Sequence, residues 1–119
     1  MISVLLVDDD HISFKLLDAF LTARFSSAFR CVHAATLEAA TERLKRESFD
    51  VVFLDNRLHC GRDVRHTMPL LSRWVKRARL FVISACTEDS SLRDARSMGA
   101  CEVIDKFELR QRIADGLLG

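Results

Sequence analysis

The sequence predicts a doubly wound α/β domain, with one five-stranded parallel sheet flanked by five helices. Three observations predict it. Five short apolar runs recur along the 119 residues, and each is followed by a segment with helical apolar spacing. Three of the runs are continuous rather than alternating, as in strands buried on both faces. Gly (4) and Pro (1) are scarce, which disfavours a turn-dense all-β sandwich.

The first run, Ile2-Ser3-Val4-Leu5-Leu6-Val7, stops at the triplet Asp8-Asp9-Asp10. Asp10 suits the N-cap of a first helix, whose stripe is Ile12, Leu16, Leu17, Phe20 and Leu21. Run two, Phe29-Arg30-Cys31-Val32-His33, is broken by polar residues, as an edge strand is. Leu37, Ala40, Thr41 and Leu44 mark the second helix. Run three, Val51-Val52-Phe53-Leu54, leads into Asp55 and a long polar connection. There the third helix, with Leu70, Leu71, Trp74 and Val75, has two readings. Either Thr67 caps it and Pro69 lies in its first turn, or it starts near Asp63 and Pro69 kinks it. Run four, Leu80-Phe81-Val82-Ile83, leads to Ser84 and Ala85. A fourth, weaker helix is expected on Leu92, Ala95, Arg96 and Met98, with Gly99 as its stop. Run five, Cys101-Glu102-Val103-Ile104, precedes Asp105-Lys106. Leu109, Ile113 and Leu117 mark a fifth helix.

Composition sets the bounds. Apolar residues make up 49% and charged residues 29%, the balance of a folded globular domain. Lys and Arg number 18 against 17 Asp and Glu, a net charge of +1. No global field draws the chain onto nucleic acid or a membrane. No apolar run approaches the roughly 18 residues of a membrane span. Met1 to Val7 carries no basic segment or cleavage site of a secretion signal. Cys31, Cys60, Cys86 and Cys101 form no CxxC pair, so zinc is disfavoured. They are read as reduced, mostly buried thiols of a cytoplasmic protein.

Ligands of open α/β sheets bind beyond the carboxyl ends of the strands. Here those ends carry Asp8 and Asp9, Asp55, Ser84, and Asp105 with Lys106. Carboxylates so close hold protons unless a cation compensates, and a hard divalent ion such as Mg²⁺ would. Asp55 could then act as a nucleophile toward a phosphoryl group. Ser84 and Lys106 would meet its oxygens, and the small Ala85 leaves room. Asp105 is read as a surface charge.

With these residues in place, the sequence resembles the receiver domain of response regulators in two-component signalling, the CheY-like superfamily. Leu5-Leu6-Val7-Asp8-Asp9-Asp10 matches its first strand and acidic pair, and Phe53-Leu54-Asp55 its phospho-acceptor. Ile83-Ser84-Ala85 matches the switch hydroxyl, and Gly99-Ala100 followed by Lys106 the segment around the invariant lysine. The resemblance covers essentially residues 1–119 as a single receiver domain with strand order 2-1-3-4-5. It implies phosphorylation of Asp55 by a sensor histidine kinase or a histidine phosphotransfer protein. It implies Mg²⁺ held by Asp8, Asp9, Asp55 and the backbone carbonyl of Arg57. Receivers often pair through the face of helix four, strand five and helix five, though no residue here compels it.

Four positions depart from the family pattern. Phe107 replaces the proline after Lys106, Val103 the usual aromatic, and His59 the proline beyond Asp55. Arg57 stands two residues after Asp55, as a clamp on the phosphoryl group or as a solvated loop arginine. Arg57, His59, Arg62, Arg65 and His66 make that loop basic. Two other functions fit part of the pattern. One is a degenerate receiver that acts as an interaction module without phosphorylation. The other is a phosphatase similar to haloacid dehalogenases, with Asp8 as its nucleophile and Asp8-Asp9-Asp10 as its motif. The length and the missing late acidic pair count against the phosphatase.

Overall fold

The computed structural model describes residues 1–57, 63–75, 77–86, 88 and 90–119. The readings placed on His59, Cys60 and Arg62 lie outside the described residues. Five strands form one parallel sheet: β1 (Ile2–Val7), β2 (Phe29–Ala34), β3 (Val51–Asp55), β4 (Arg79–Ser84) and β5 (Glu102–Asp105). Their order is β2-β1-β3-β4-β5, as the resemblance implied.

Successive strand residues point to opposite faces, so the continuous runs divide between two cores. Leu5, Val7, Val52, Leu54, Leu80 and Val82 pack beneath α2 (Leu37–Arg46) and α3 (Val64–Val75). Val4, Leu6, Val51, Phe53, Phe81 and Ile83 pack beneath α1 (His11–Phe25) and α4 (Leu109–Ala114). Burying both faces explains why runs one, three and four lack polar alternation.

The start of α3 decides between its two sequence readings. The helix begins right after Asp63, whose Oδ1 accepts the Arg65 N–H at 2.9 Å. Pro69 lies inside the helix, and Thr67 is fully buried with its hydroxyl on the Asp63 carbonyl.

The expected fourth helix is corrected. Between β4 and β5 the described residues hold a 3₁₀ turn, Ser90–Leu92, and further turns to Gly99, with no α-helix. The reason is the period. Leu92, Ala95 and Met98 recur every three residues, and amides along this stretch bond three residues back, Met98 sharing its N–H with Asp94 O as well. Arg93 N–H donates to Ser90 O, Ala95 to Leu92, and Met98 to Ala95. Leu92 and Ala95 are buried on this tighter coil. The described residues therefore carry four α-helices rather than five. The face expected to pair two copies has a turn segment where its helix four was placed.

The fifth stripe is also shorter than expected. α4 stops at Ala114 in a Schellman arrangement, with Leu117 N–H on Arg112 O and Gly116 N–H on Ile113 O. Gly116 takes φ 100°, a conformation costly for any residue with a Cβ.

The stripe of α1 turns partly outward. Leu17 and Leu21 are buried, whereas Ile12 and Leu16 are exposed. The cysteine expectation is corrected likewise. Among the described residues, Cys86 and Cys101 are exposed free thiols and Cys31 is half-buried. Burial pushes the Cys31 thiol up to about 12, with Asp18 adding to the effect.

Candidate functional site: an acidic pocket at the carboxyl edge of the sheet

Register brings the strand ends together. Val7 pairs with Leu54, Asp55 with Ile83, and Ser84 with Asp105. Asp8, Asp55, Ser84 and Lys106 thus share one edge, although they are far apart in sequence. The carboxylates of Asp8, Asp9 and Asp55 offer oxygens within 4.8 Å of one another.

Asp8 is fully buried and held on all sides. Its N–H donates to Ala34 O at 3.1 Å, and its carbonyl oxygen lies 2.6 Å from His33 Nε2. Its Oδ1 accepts the Asp10 N–H at 2.9 Å, and its Oδ2 takes Lys106 Nζ at 2.9 Å. Asp9 is exposed. Asp10 caps α1 through the Ile12 N–H, as expected.

Lys106 Nζ also stands 3.4 Å from Asp55 Oδ1. Burial alone would lower the lysine's affinity for its proton. The Asp8 and Asp55 carboxylates outweigh burial and hold Lys106 above its ordinary value. Asp55 is pushed up to about 6, first by burial and then by the charge of Asp8. Lys106 and the Arg57 backbone N–H act against that rise.

Three carboxylates and one ammonium leave about two negative charges in the pocket. Burial first, and then the Asp8 charge that Lys106 does not fully offset, raise the proton affinity of Asp55. Hard oxygen donors at this spacing fit a divalent cation such as Mg²⁺.

The Ser84 hydroxyl donates to Cys86 O at 2.9 Å and accepts the Cys86 N–H at 3.1 Å. Ala85 is exposed beside it. The Arg57 guanidinium pairs with Asp63 at 3.7 Å, which ties the loop after β3 to the start of α3. Val103 is half-buried and packs against the α2–α3 core. At Phe107 the N–H donates to Asp105 Oδ1 at 2.8 Å. Asp105 therefore caps the turn after Lys106 and is not merely a surface charge. The Phe107 ring is 83% exposed, and it borders a groove of about 330 Å³ with Leu16, Phe20, Ala85 and Lys106.

Two features escaped the sequence. One is the contact of His33 with Asp8. The other is Asn56, fully buried next to Asp55, whose Nδ2 donates to Ser91 Oγ at 3.1 Å. Its Oδ1 accepts the Val64 N–H at 3.3 Å, so one side chain joins β3, α3 and the turn after β4.

A family model, response regulator receiver domain, matches residues 4–117. The chain belongs to that family. As a receiver it is a part of two-component signalling, and the fold class, strand order and strand-end motifs read from the sequence agree with that membership. Among curated relatives, the chain is 29% identical over 123 residues to the autoinducer 2 sensor kinase/phosphatase LuxQ of Vibrio vulnificus. The match covers 98% of this chain and 13% of the relative, so the chain spans a small part of that protein's length. Among solved structures, chemotaxis protein CheY4 of Vibrio cholerae superposes with a TM-score of 0.80 at 17% identity. That match covers 98% of this chain and 96% of the other. A Burkholderia pseudomallei response regulator with a phosphorylated aspartic acid, calcium ion and citrate gives 0.79 at 16% identity, over 98% and 66%. Among the described residues, no helix is long and apolar enough to cross a membrane.

Proposed function

We propose that this receiver accepts a phosphoryl group on Asp55 from a phosphohistidine and acts as a switch in a phosphorelay. The observation that carries the proposal is the lysine between two buried carboxylates, with a third carboxylate in reach. Asp8, Asp9 and Asp55 would hold Mg²⁺ together with the Arg57 carbonyl. Bound there, the ion would neutralise the pocket and the charge that develops on the transferring group.

In the transfer, a carboxylate oxygen of Asp55 bonds to phosphorus as the P–N bond to the donor imidazole breaks. The imidazole leaves with the bonding pair and takes up a proton. Lys106 neutralises one phosphoryl oxygen. Ser84 turns its hydroxyl from Cys86 to another, and Ala85 leaves the approach open. These are acts of a signalling domain on its own aspartate, not turnover of a separate substrate.

The partner is a sensor histidine kinase or a histidine phosphotransfer protein, and the site of action is the cytoplasm. LuxQ, a sensor kinase/phosphatase, supports a phosphorelay setting. The phosphorylated aspartic acid in the Burkholderia regulator supports the chemistry. We read residues 1–119 as one receiver unit.

Phosphoramidate, a small P–N donor, tests the reaction. Incubated with Mg²⁺, the protein should gain one phosphoryl group that hydroxylamine removes, as it does from acyl phosphates. EDTA should prevent the gain. Label that resists hydroxylamine, or forms equally in EDTA, would overturn the proposal.

A further inference from the structure

We propose that His33 is a positioning residue for the acidic turn: its imidazole fixes the Asp8–Asp9 peptide and thereby aims Asp9 at the divalent cation. This role rests on the Mg²⁺-dependent reading of the site given above.

His33 lies near the end of β2, opposite Leu6 of β1. Its Nε2 is 2.6 Å from the Asp8 carbonyl oxygen. A carbonyl only accepts, so Nε2 is the nitrogen that carries the proton. The peptide it holds is the one that leads into Asp9. The Asp8 N–H is bound to Ala34 O, so β2 grips the backbone on both sides of Asp8. The Asp8 side chain is already taken by the Asp10 N–H and by Lys106. Asp9 is exposed.

The imidazole is itself braced. It stacks on Phe14 at 5.0 Å between ring centroids and 8° between planes, and His11 lies 6.0 Å away. Phe14 belongs to α1, whose N-cap is Asp10 at the end of the same turn. The restraint therefore closes on itself, from the acidic turn through α1 and Phe14 to His33 and back. Second-sphere hydrogen bonds of this kind orient metal ligands and raise affinity without touching the ion.

Two variants separate donor from ring. His33→Phe keeps a ring to stack on Phe14 and loses the N–H. His33→Gln keeps an N–H donor at similar reach and loses the ring. The Mg²⁺ dissociation constant is measured by calorimetry at one pH, with thermal midpoints of the metal-free proteins alongside. His33→Phe should weaken Mg²⁺ binding about three- to tenfold, the worth of one hydrogen bond. His33→Gln should recover most of that loss, whatever its thermal midpoint. Wild-type affinity in His33→Phe would overturn the role. So would affinity losses in both variants that simply follow lost stability. If wild type binds no Mg²⁺, the reading of the site itself fails, and the positioning role with it.

Discussion

Lys106 Nζ lies 2.9 Å from Oδ2 of Asp8, a carboxylate without solvent exposure and 98 residues away in sequence. A buried carboxylate is costly unless paired and hydrogen-bonded. Lys106 supplies the pairing, and the Asp10 N–H supplies a further bond. The same ammonium reaches Asp55, so one side chain links the acidic turn, the end of β3 and the end of β5.

Replacing Lys106 with Met leaves Asp8 and Asp55 without that ammonium. Its contribution is fully present below the lysine's unfolded value of 10.5 and is lost only as pH rises through the higher folded value. At pH 8 the metal-free variant should therefore be less stable by about 1–3 kcal/mol. Mg²⁺ should raise its melting temperature more than that of wild type. Thermal melts with EDTA and with Mg²⁺ check both statements.

The raised proton affinity of Asp55 sets a pH window. Its folded value of about 6 lies above the ordinary 3.8, so the neutral carboxyl favours the fold. That contribution is complete below 3.8 and disappears as pH rises through about 6. Asp55→Asn removes the titration. Without metal it should be more stable than wild type at pH 8 by about 3 kcal/mol, about two pH units at roughly 1.4 kcal/mol each. The difference should shrink toward zero near pH 4. Urea unfolding across this range measures it.

The buried Asn56–Ser91 pair gives a third expectation. Ser91→Ala removes a partner from a fully buried amide, at a cost of about 1–3 kcal/mol. Adding Asn56→Leu to that variant removes the buried polar group as well. The double variant should lose less than the two single changes summed. Urea unfolding of the four proteins completes this cycle.

Much of the site was legible because topology, not local pattern, places it. Once runs one, three, four and five are read as parallel strands, Asp8, Asp55, Ser84 and Lys106 must share one edge. The misses have physical causes. Leu92, Ala95 and Met98 are spaced three residues apart, which a helical stripe tolerates but a tighter coil matches better, and the tighter turns formed. Ile12 and Leu16 extend the α1 stripe, but its buried part is centred on Leu17 and Leu21. Asn56 and Ser91 are common polar types, and their pairing depends on a contact across 35 residues. His33 interrupts an apolar run, which marks an edge strand but does not reveal that its ring reaches Asp8.

The central claim is that Asp55 is the phosphoryl acceptor. Intact mass after incubation with acetyl phosphate and Mg²⁺, for wild type and Asp55→Asn, tests it most directly. The predicted result is a gain of about 80 Da, one phosphoryl group, in wild type alone. The same gain in Asp55→Asn, or none in wild type, would contradict it.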